Sequence, residues 1–141
     1  MKITFTLDTI DKAAEEILSQ CQYKTLLFYG EMGAGKTTLI KSLTKALGIT
    51  QTTGSPTFGI VNIYEGNGET IHHFDMYRLK KEEEAFDIGF EEYLTSPYWN
   101  FIEWPEKVSS LLPTNTTKIN LKILDHTTRL CTIDNGSNEL K

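Results

Sequence analysis

Apolar and polar positions along the chain predict a mixed α/β fold. Ile3, Phe5 and Leu7 alternate with Lys2, Thr4 and Thr6, the two-residue period of a half-buried strand over residues 2–7. Ile10, Ala13, Ala14, Ile17, Leu18 and Cys21 then recur at helical spacing, with Asp8 or Thr9 placed to cap that helix. Residues 25–29, Thr-Leu-Leu-Phe-Tyr, form a continuous apolar run, as expected of a parallel strand buried on both faces. A second helix is predicted from Lys36, with Leu39, Ile40, Leu43, Ala46 and Leu47 on its buried stripe and Gly48 at its end.

Residues 49–56 are rich in Thr, Gly, Ser and Pro and read as a loop. A strand is predicted over 58–64, a tight turn at Asn67-Gly68, and a return strand over 69–74 that delivers Asp75 at its end. Residues 80–93 read as helical with a break near Gly89. Residues 99–102 read as a short strand ending at Glu103, and Pro105 opens a short helix that runs to 111. Strands over 118–124 and 128–133 close the domain, and the polar segment 135–141 is expected to fray. A single domain over 1–134 follows, with central parallel strands, antiparallel strands flanking them, and helices on both faces.

Composition narrows the function classes. The chain has 141 residues, 39% hydrophobic and 23% charged, ordinary for one globular domain. No apolar run approaches the ~20 residues of a membrane span, and the start of the chain lacks the apolar core of a signal peptide, so no membrane partner and a cytoplasmic location are expected. Cys21 and Cys131 are too few and too far apart for a disulfide framework or a zinc site. A net charge of −5 disfavours free nucleic acid as a partner, so strong autonomous RNA or DNA binding is not expected.

The most specific signal is Gly30-Glu31-Met32-Gly33-Ala34-Gly35-Lys36-Thr37, a match to G-x-x-x-x-G-K-[ST] between an apolar strand and an amphipathic helix. A chance match in a chain of this length is roughly half a percent. Glycines let backbone N–H groups approach phosphate oxygens, and the helix that follows points its positive end at the same place. Lys36 adds a full charge at the β- and γ-phosphates, and the Thr37 hydroxyl can ligate Mg²⁺. The expected cradle for ATP or ADP comprises Glu31, Met32, Gly33, Ala34, Gly35, Lys36, Thr37 and Thr38, and the expected architecture is the three-layer P-loop NTPase fold.

Such a site needs an acid at the end of a neighbouring strand. Asp75 and Glu103 both qualify: Asp75 for the Mg²⁺ shell, Glu103 as Mg²⁺ partner or as the base that orients water, with Lys36 completing the catalytic set. His72 and His73 adjoin Asp75, but neighbours on a strand point to opposite faces and do not readily share one ion. His73 reads better as a core or hydrogen-bonded residue. Arg78 can be a charge-stabilising arginine or a structural salt-bridge partner, and residues 82–84, three glutamates, read as a solvated helix face.

Beyond the phosphate loop, an ordered set of segments resembles the bacterial TsaE (YjeE) family. The set is Ser55-Pro56-Thr57-Phe58, His73-Phe74-Asp75-Met76-Tyr77-Arg78-Leu79, Gly89 with Glu92-Tyr93-Leu94, and Ile102-Glu103-Trp104-Pro105-Glu106. The resemblance covers about residues 25–112. It implies an ATPase that supports the threonylcarbamoyl modification of adenosine 37 of tRNA together with a TsaB–TsaD heterodimer. It implies Mg²⁺ contacts for Thr37 and Glu103, a phosphate-side acid at Asp75, a switch-like loop bringing Thr57 near the γ-phosphate, and Trp104 beside the site. Met32 replaces the family's usual leucine. The segment Thr128-Arg129-Leu130 is similar only loosely to a family arginine segment, which makes Arg129 a candidate base-stacking residue. A family threonine ahead of the first helix has no clean match in residues 9–11.

Two other readings share the phosphate loop. A small-molecule kinase needs a lid, often arginine-rich, and Arg78 and Arg129 are the only arginines in the sequence. A nucleotide-gated binding module would dock partners according to its ATP state, with hydrolysis incidental.

Overall fold

The computed structural model describes residues 1–50 and 59–136. Residues 51–58, among them Ser55, Pro56 and Thr57, and the tail residues 137–141 lie outside the described residues. The element order is β1 (Lys2–Phe5), α1 (Ile10–Gln20), β2 (Thr25–Tyr29), α2 (Lys36–Ala46), β3 (Val61–Gly66), β4 (Glu69–Asp75), α3 (Glu82–Asp87), α4 (Phe90–Leu94), β5 (Trp99–Glu103), a 3₁₀ segment (Pro105–Leu111), β6 (Thr117–Ile123) and β7 (Arg129–Asp134). Among the described residues the strands form one sheet in the order β1-β7-β6-β2-β5-β4-β3. The four central strands β6, β2, β5 and β4 run parallel. The pairs β3–β4, β6–β7 and β1–β7 are antiparallel. Parallel strands at the centre with antiparallel additions on both sides match the fold expected from the sequence.

Burial explains the order. Leu26, Leu27 and Phe28 of β2 are shielded on both faces, as are Phe101 and Ile102 of β5. Leu26, Phe28, Ile71, Phe101, Ile119 and Leu121 pack on one face of the sheet against Ala13, Ala14 and Ile17 of α1 and Leu39, Ile40 and Leu43 of α2. Leu27, Val61, Phe74 and Ile102 pack on the other face with Ala85, Phe90 and Val108 from the short helical segments. Continuous apolar runs need cover on both faces, and here helices supply it.

Several local expectations are corrected. β1 stops at Phe5, since Thr6 and Leu7 turn outward and Leu7 is exposed. Neither Asp8 nor Thr9 caps α1 with its side chain. The Thr9 hydroxyl instead accepts the Thr6 N–H at 3.0 Å, which closes the strand–helix turn. The helical stretch expected over 80–93 breaks at Gly89 as the sequence indicated, and its two pieces are short, Glu82–Asp87 and Phe90–Leu94. α3 begins at Glu82 because the Glu84 carboxylate accepts the N–H groups of Lys80 and Lys81 at 2.9 and 3.1 Å. Glu82 is likewise bonded, accepting from the Ser110 hydroxyl at 2.6 Å, so the three glutamates are not simply a solvated face. The segment after Pro105 is 3₁₀ with a non-helical Val108.

Both cysteines are free thiols, Cys131 within the core and Cys21 partly buried against it. Cys131 is buried in the main core, where burial pushes its thiol up to about 12, and burial pushes Cys21 up to about 11.

Leu26 is fully shielded at the centre of the sheet. Leu26→Ala should destabilise the chain by about 2–5 kcal/mol through lost burial and an unfilled cavity. Urea unfolding measures it; a change below about 1 kcal/mol would contradict the packing described.

Candidate functional site

β2, β5 and β4 run the same way, so their C-terminal ends share one edge of the sheet. The register is tight: Phe28 stands opposite Glu103, and Glu103 opposite Asp75, in a single row. The loop after β2 and the acids ending β5 and β4 therefore meet at the same edge, the usual location of ligand crevices in such sheets.

The loop turns on glycines. Gly33 and Gly35 have φ of 84° and 96°, left-handed values that L side chains rarely adopt. Ala34, between them, is buried, and its N–H bonds back to the Glu31 carbonyl at 3.0 Å. Gly35 is the residue before the first turn of α2, whose opening N–H groups have no side-chain cap. A helix start of this kind attracts anions through its free N–H groups and its dipole.

A cavity of about 350 Å³ lies over this edge, lined by Met32, Gly33, Gly35, Lys36, Thr37, Thr38, Asp75, Tyr77, Glu103 and Trp104. The Thr37 hydroxyl donates to Glu103 Oε1 at 3.0 Å. The other oxygen, Oε2, is bonded to His73 Nε2 at 2.7 Å, and His73 Nδ1 to the Tyr64 hydroxyl at 2.8 Å. Glu103 is only 3% exposed, whereas Asp75 is exposed and accepts the Tyr77 N–H at 3.1 Å.

Lys36 is buried, a costly place for an ammonium. It donates to the Gly30 carbonyl and lies 3.6 Å from the centre of the Trp104 ring, a cation–π contact. Burial pushes its ammonium down, opposed by the negative charges of Glu103, Glu106 and Asp75. Trp104 itself sits in the left-handed region at φ 57°, and its ring packs on Tyr77 with centroids 5.0 Å apart. Such a backbone costs of order 1–3 kcal/mol and tends to persist at functional sites.

A second cavity, about 410 Å³, opens on the other side of the loop, lined by residues 5–8, Ile10, Gly33, Ala34, Gly35, Thr38, His126, Thr127 and Arg129. Arg129 Nε donates to the Ala34 carbonyl at 3.0 Å, fastening β7 to the phosphate loop, and its Nη1 bonds the Asp125 carbonyl at 2.9 Å. The wall formed by Phe5, Thr6 and Leu7 with His126 and Thr127 was not legible in the sequence, because it depends on β1 and β7 pairing at the sheet edge.

The structure thus brings together Lys36, Thr37, Thr38, Asp75 and Glu103, with Met32, Gly33 and Gly35 around them and Arg129 on the far rim. Glu31 lines neither cavity; its side chain is exposed and its carbonyl serves the turn. Arg78 is exposed and forms no ion pair among the described residues. His72 and His73 point to opposite faces, as strand geometry requires. His72 bonds Asn100 Oδ1 at 3.0 Å and meets the rings of Tyr93 and Tyr98; burial pushes its imidazole down. Thr57 lies outside the described residues. Tyr64 is the member of the cluster that the sequence reading did not single out.

The donors suit Mg²⁺. Thr37, Glu103 and Asp75 offer hard oxygens, while no group of three or more His, Cys, Asp or Glu among the described residues could hold a metal unaided. Mg²⁺ commonly binds through one or two carboxylates plus phosphates and water, so a partial set beside a phosphate cradle fits it.

A glycine-rich loop between a central parallel strand and a helix, with acids at the ends of the next strands, defines a P-loop NTPase fold. Comparison with known proteins narrows the class. Residues 5–131 match the model of the family described as threonylcarbamoyl adenosine biosynthesis protein TsaE, and the chain belongs to that family. It is 39% identical over 115 residues to the Rickettsia felis tRNA threonylcarbamoyladenosine biosynthesis protein TsaE, covering 81% of this chain and 67% of that one. It is 36% identical over 97 residues to the Bacillus subtilis protein of the same name, covering 69% of this chain and 60% of that one. The crystal structure of Bacillus subtilis YdiB superposes with a TM-score of 0.77 at 23% identity, covering 98% of this chain and 88% of that one, and shares the fold.

Removing Arg129 would leave the buried Ala34 carbonyl without its charged donor. Arg129→Ala should weaken ADP binding roughly tenfold, the worth of a charge-assisted hydrogen bond that holds the loop. Calorimetry checks this; unchanged affinity would mean that the contact does not shape the loop.

Proposed function

We propose that the chain binds ATP with Mg²⁺ and hydrolyses it slowly, as a subunit supporting formation of the threonylcarbamoyl group on adenosine 37 of tRNA. The observation that carries the nucleotide reading is the bonded pair of Thr37 and Glu103 at the start of α2, with Lys36 and Asp75 in the same cavity. Lys36 would leave the Gly30 carbonyl and the Trp104 face for the β- and γ-phosphates. The N–H groups from Gly33 to Thr38 would hold the phosphate chain, and the cavity rimmed by Arg129 has room for the nucleoside. Thr37, Glu103 and Asp75 would hold Mg²⁺, which supplies charge neutralisation at the phosphates. Glu103 or Asp75 would also orient the attacking water.

Support for the pathway comes from the relatives, which bear the name tRNA threonylcarbamoyladenosine biosynthesis protein TsaE. The TsaB–TsaD pair is the partner that the family resemblance implies. A slow, partner-regulated ATPase is also what the site favours over a kinase: Arg78 and Arg129 are the only arginines, and Arg129 is engaged with the loop backbone. The acidic surface, at a net charge of −5, supports contact with tRNA through partners rather than directly.

ATP hydrolysis by the full chain, alone and with the TsaB–TsaD pair, tests the reading. The pair should stimulate turnover in the parent. Glu103→Gln should lower turnover by roughly 100-fold or more while ADP binding stays within about threefold. Transfer of phosphate to a metabolite, or equal turnover in both proteins, would contradict it.

A further inference from the structure

The phosphate-side machinery does not account for Tyr64 and His73. His73 is 6% exposed, is bonded to Glu103 and does not line the cavity that holds Lys36 and Asp75. Its two ring nitrogens are both occupied, by Glu103 Oε2 at 2.7 Å and by the Tyr64 hydroxyl at 2.8 Å. Glu103 Oε1 in turn receives the Thr37 hydroxyl at 3.0 Å. The four side chains form one unbroken hydrogen-bonded line from the edge strand β3, through β4 and β5, to the first turn of α2.

We propose that His73, locked by Tyr64, is the positioning residue that fixes the Glu103 carboxylate for Mg²⁺ and water. This rests on the role given to Glu103 under the proposed function. A glutamate side chain has three rotatable bonds, and a buried carboxylate oxygen without a donor is costly. His73 removes both problems by holding Oε2, which leaves Oε1 turned towards Thr37. The direction of the line follows from donor chemistry. An ionised carboxylate only accepts, so Nε2 carries a hydrogen, and in the neutral ring Nδ1 accepts from the Tyr64 hydroxyl. Burial, with the charge of Glu103 adding to it, pushes the Tyr64 phenol up, so it keeps the proton it donates. Glu103 thereby sets the tautomer, and the Tyr64 hydroxyl donates to the Nδ1 that this leaves as an acceptor. Imidazoles and carboxylates one layer behind a metal ligand commonly act in this way, and their loss costs about 10- to 100-fold in affinity or activity.

The test compares Tyr64→Phe, His73→Gln and His73→Leu with Glu103→Gln as reference. Tyr64→Phe keeps the ring and removes only the hydroxyl; His73→Gln can present an N–H near the Nε2 position. Steady-state ATP hydrolysis by the full chain, with and without the TsaB–TsaD pair, gives kcat and KM. ADP affinity without Mg²⁺, thermal unfolding and the imidazole ¹⁵N spectrum of the ligand-free protein are measured beside it. His73→Leu should lower kcat about tenfold or more, and His73→Gln should recover most of the loss. KM and Mg²⁺-free ADP affinity should stay within about twofold. In the parent the spectrum should show hydrogen on Nε2 and an accepting Nδ1, and Tyr64→Phe should shift the Nδ1 signal and lower kcat by a smaller factor. Unchanged kcat in Tyr64→Phe and His73→Leu, with turnover lost in Glu103→Gln, would overturn the positioning role and leave Glu103 in place. Full turnover in Glu103→Gln would overturn both. Parallel losses of ADP affinity and melting temperature in Tyr64→Phe and His73→Gln would show a structural role only. A parent His73 with hydrogen on Nδ1 and none on Nε2 would also overturn the proposal. If His73→Leu does not fold, the other two variants and the spectrum decide.

Discussion

The site depends on the register of three parallel strands. Phe28, Glu103 and Asp75 lie in one row across β2, β5 and β4, so the chain leaves β2 for the phosphate loop beside both acids. The row is held by backbone ladders and by burial on both faces, with Leu26, Leu27, Phe101 and Ile102 all shielded. Side chains on a strand alternate, so a slip of one residue would turn Glu103 to the opposite face and place Ile102 or Trp104 at its position. Packing of apolar residues thus fixes where the charged groups stand, and the polar contacts refine an arrangement already set.

That constraint explains why charge can be concentrated here. Lys36 and Glu103 are both buried, and neither would be tolerated alone. Glu103 has donors from Thr37 and His73; Lys36 has the Gly30 carbonyl, the Trp104 face and the field of three carboxylates. The left-handed Trp104 places its ring over Lys36 directly after the strand that ends in Glu103. The loop is braced from the far side as well, where Arg129 on β7 bonds the Ala34 carbonyl. The phosphate-binding turn is therefore held by both the central strands and the antiparallel edge.

Much of this was legible in the sequence, for identifiable reasons. The phosphate loop and its two flanking elements are local, and their chemistry lies in contiguous residues. The carboxylates ending β4 and β5 could be found because an apolar run followed by an acid reads as a strand end. Their order across the sheet could not, since it depends on which strands pair. Tyr64 illustrates the limit. The Asn67-Gly68 turn sets Gly66 against Glu69 and hence Tyr64 against Ile71, which leaves His73 two residues along on the same face, a diagonal neighbour. That arithmetic was available, but nothing local marks a tyrosine on an edge strand as part of a site. The helix starts depend on side-chain bonds of different kinds: Glu84 accepts the Lys80 and Lys81 N–H groups as the third residue of a capping box, whereas Thr9 closes the strand–helix turn instead of capping α1. The cavity between the start of the chain and residues 126–129 escaped because it joins the two ends of the chain.

The central claim is that this edge holds a magnesium nucleotide through Lys36 and the loop before it. Calorimetric titration of the full chain with ATP and with ADP, in the presence of Mg²⁺, tests it most directly when the parent is compared with Lys36→Ala. Binding in the parent, weakened roughly 100-fold or more by the substitution, is the expected result, because a buried charge-assisted contact to phosphate is lost. Equal, tight binding by both proteins would contradict the account.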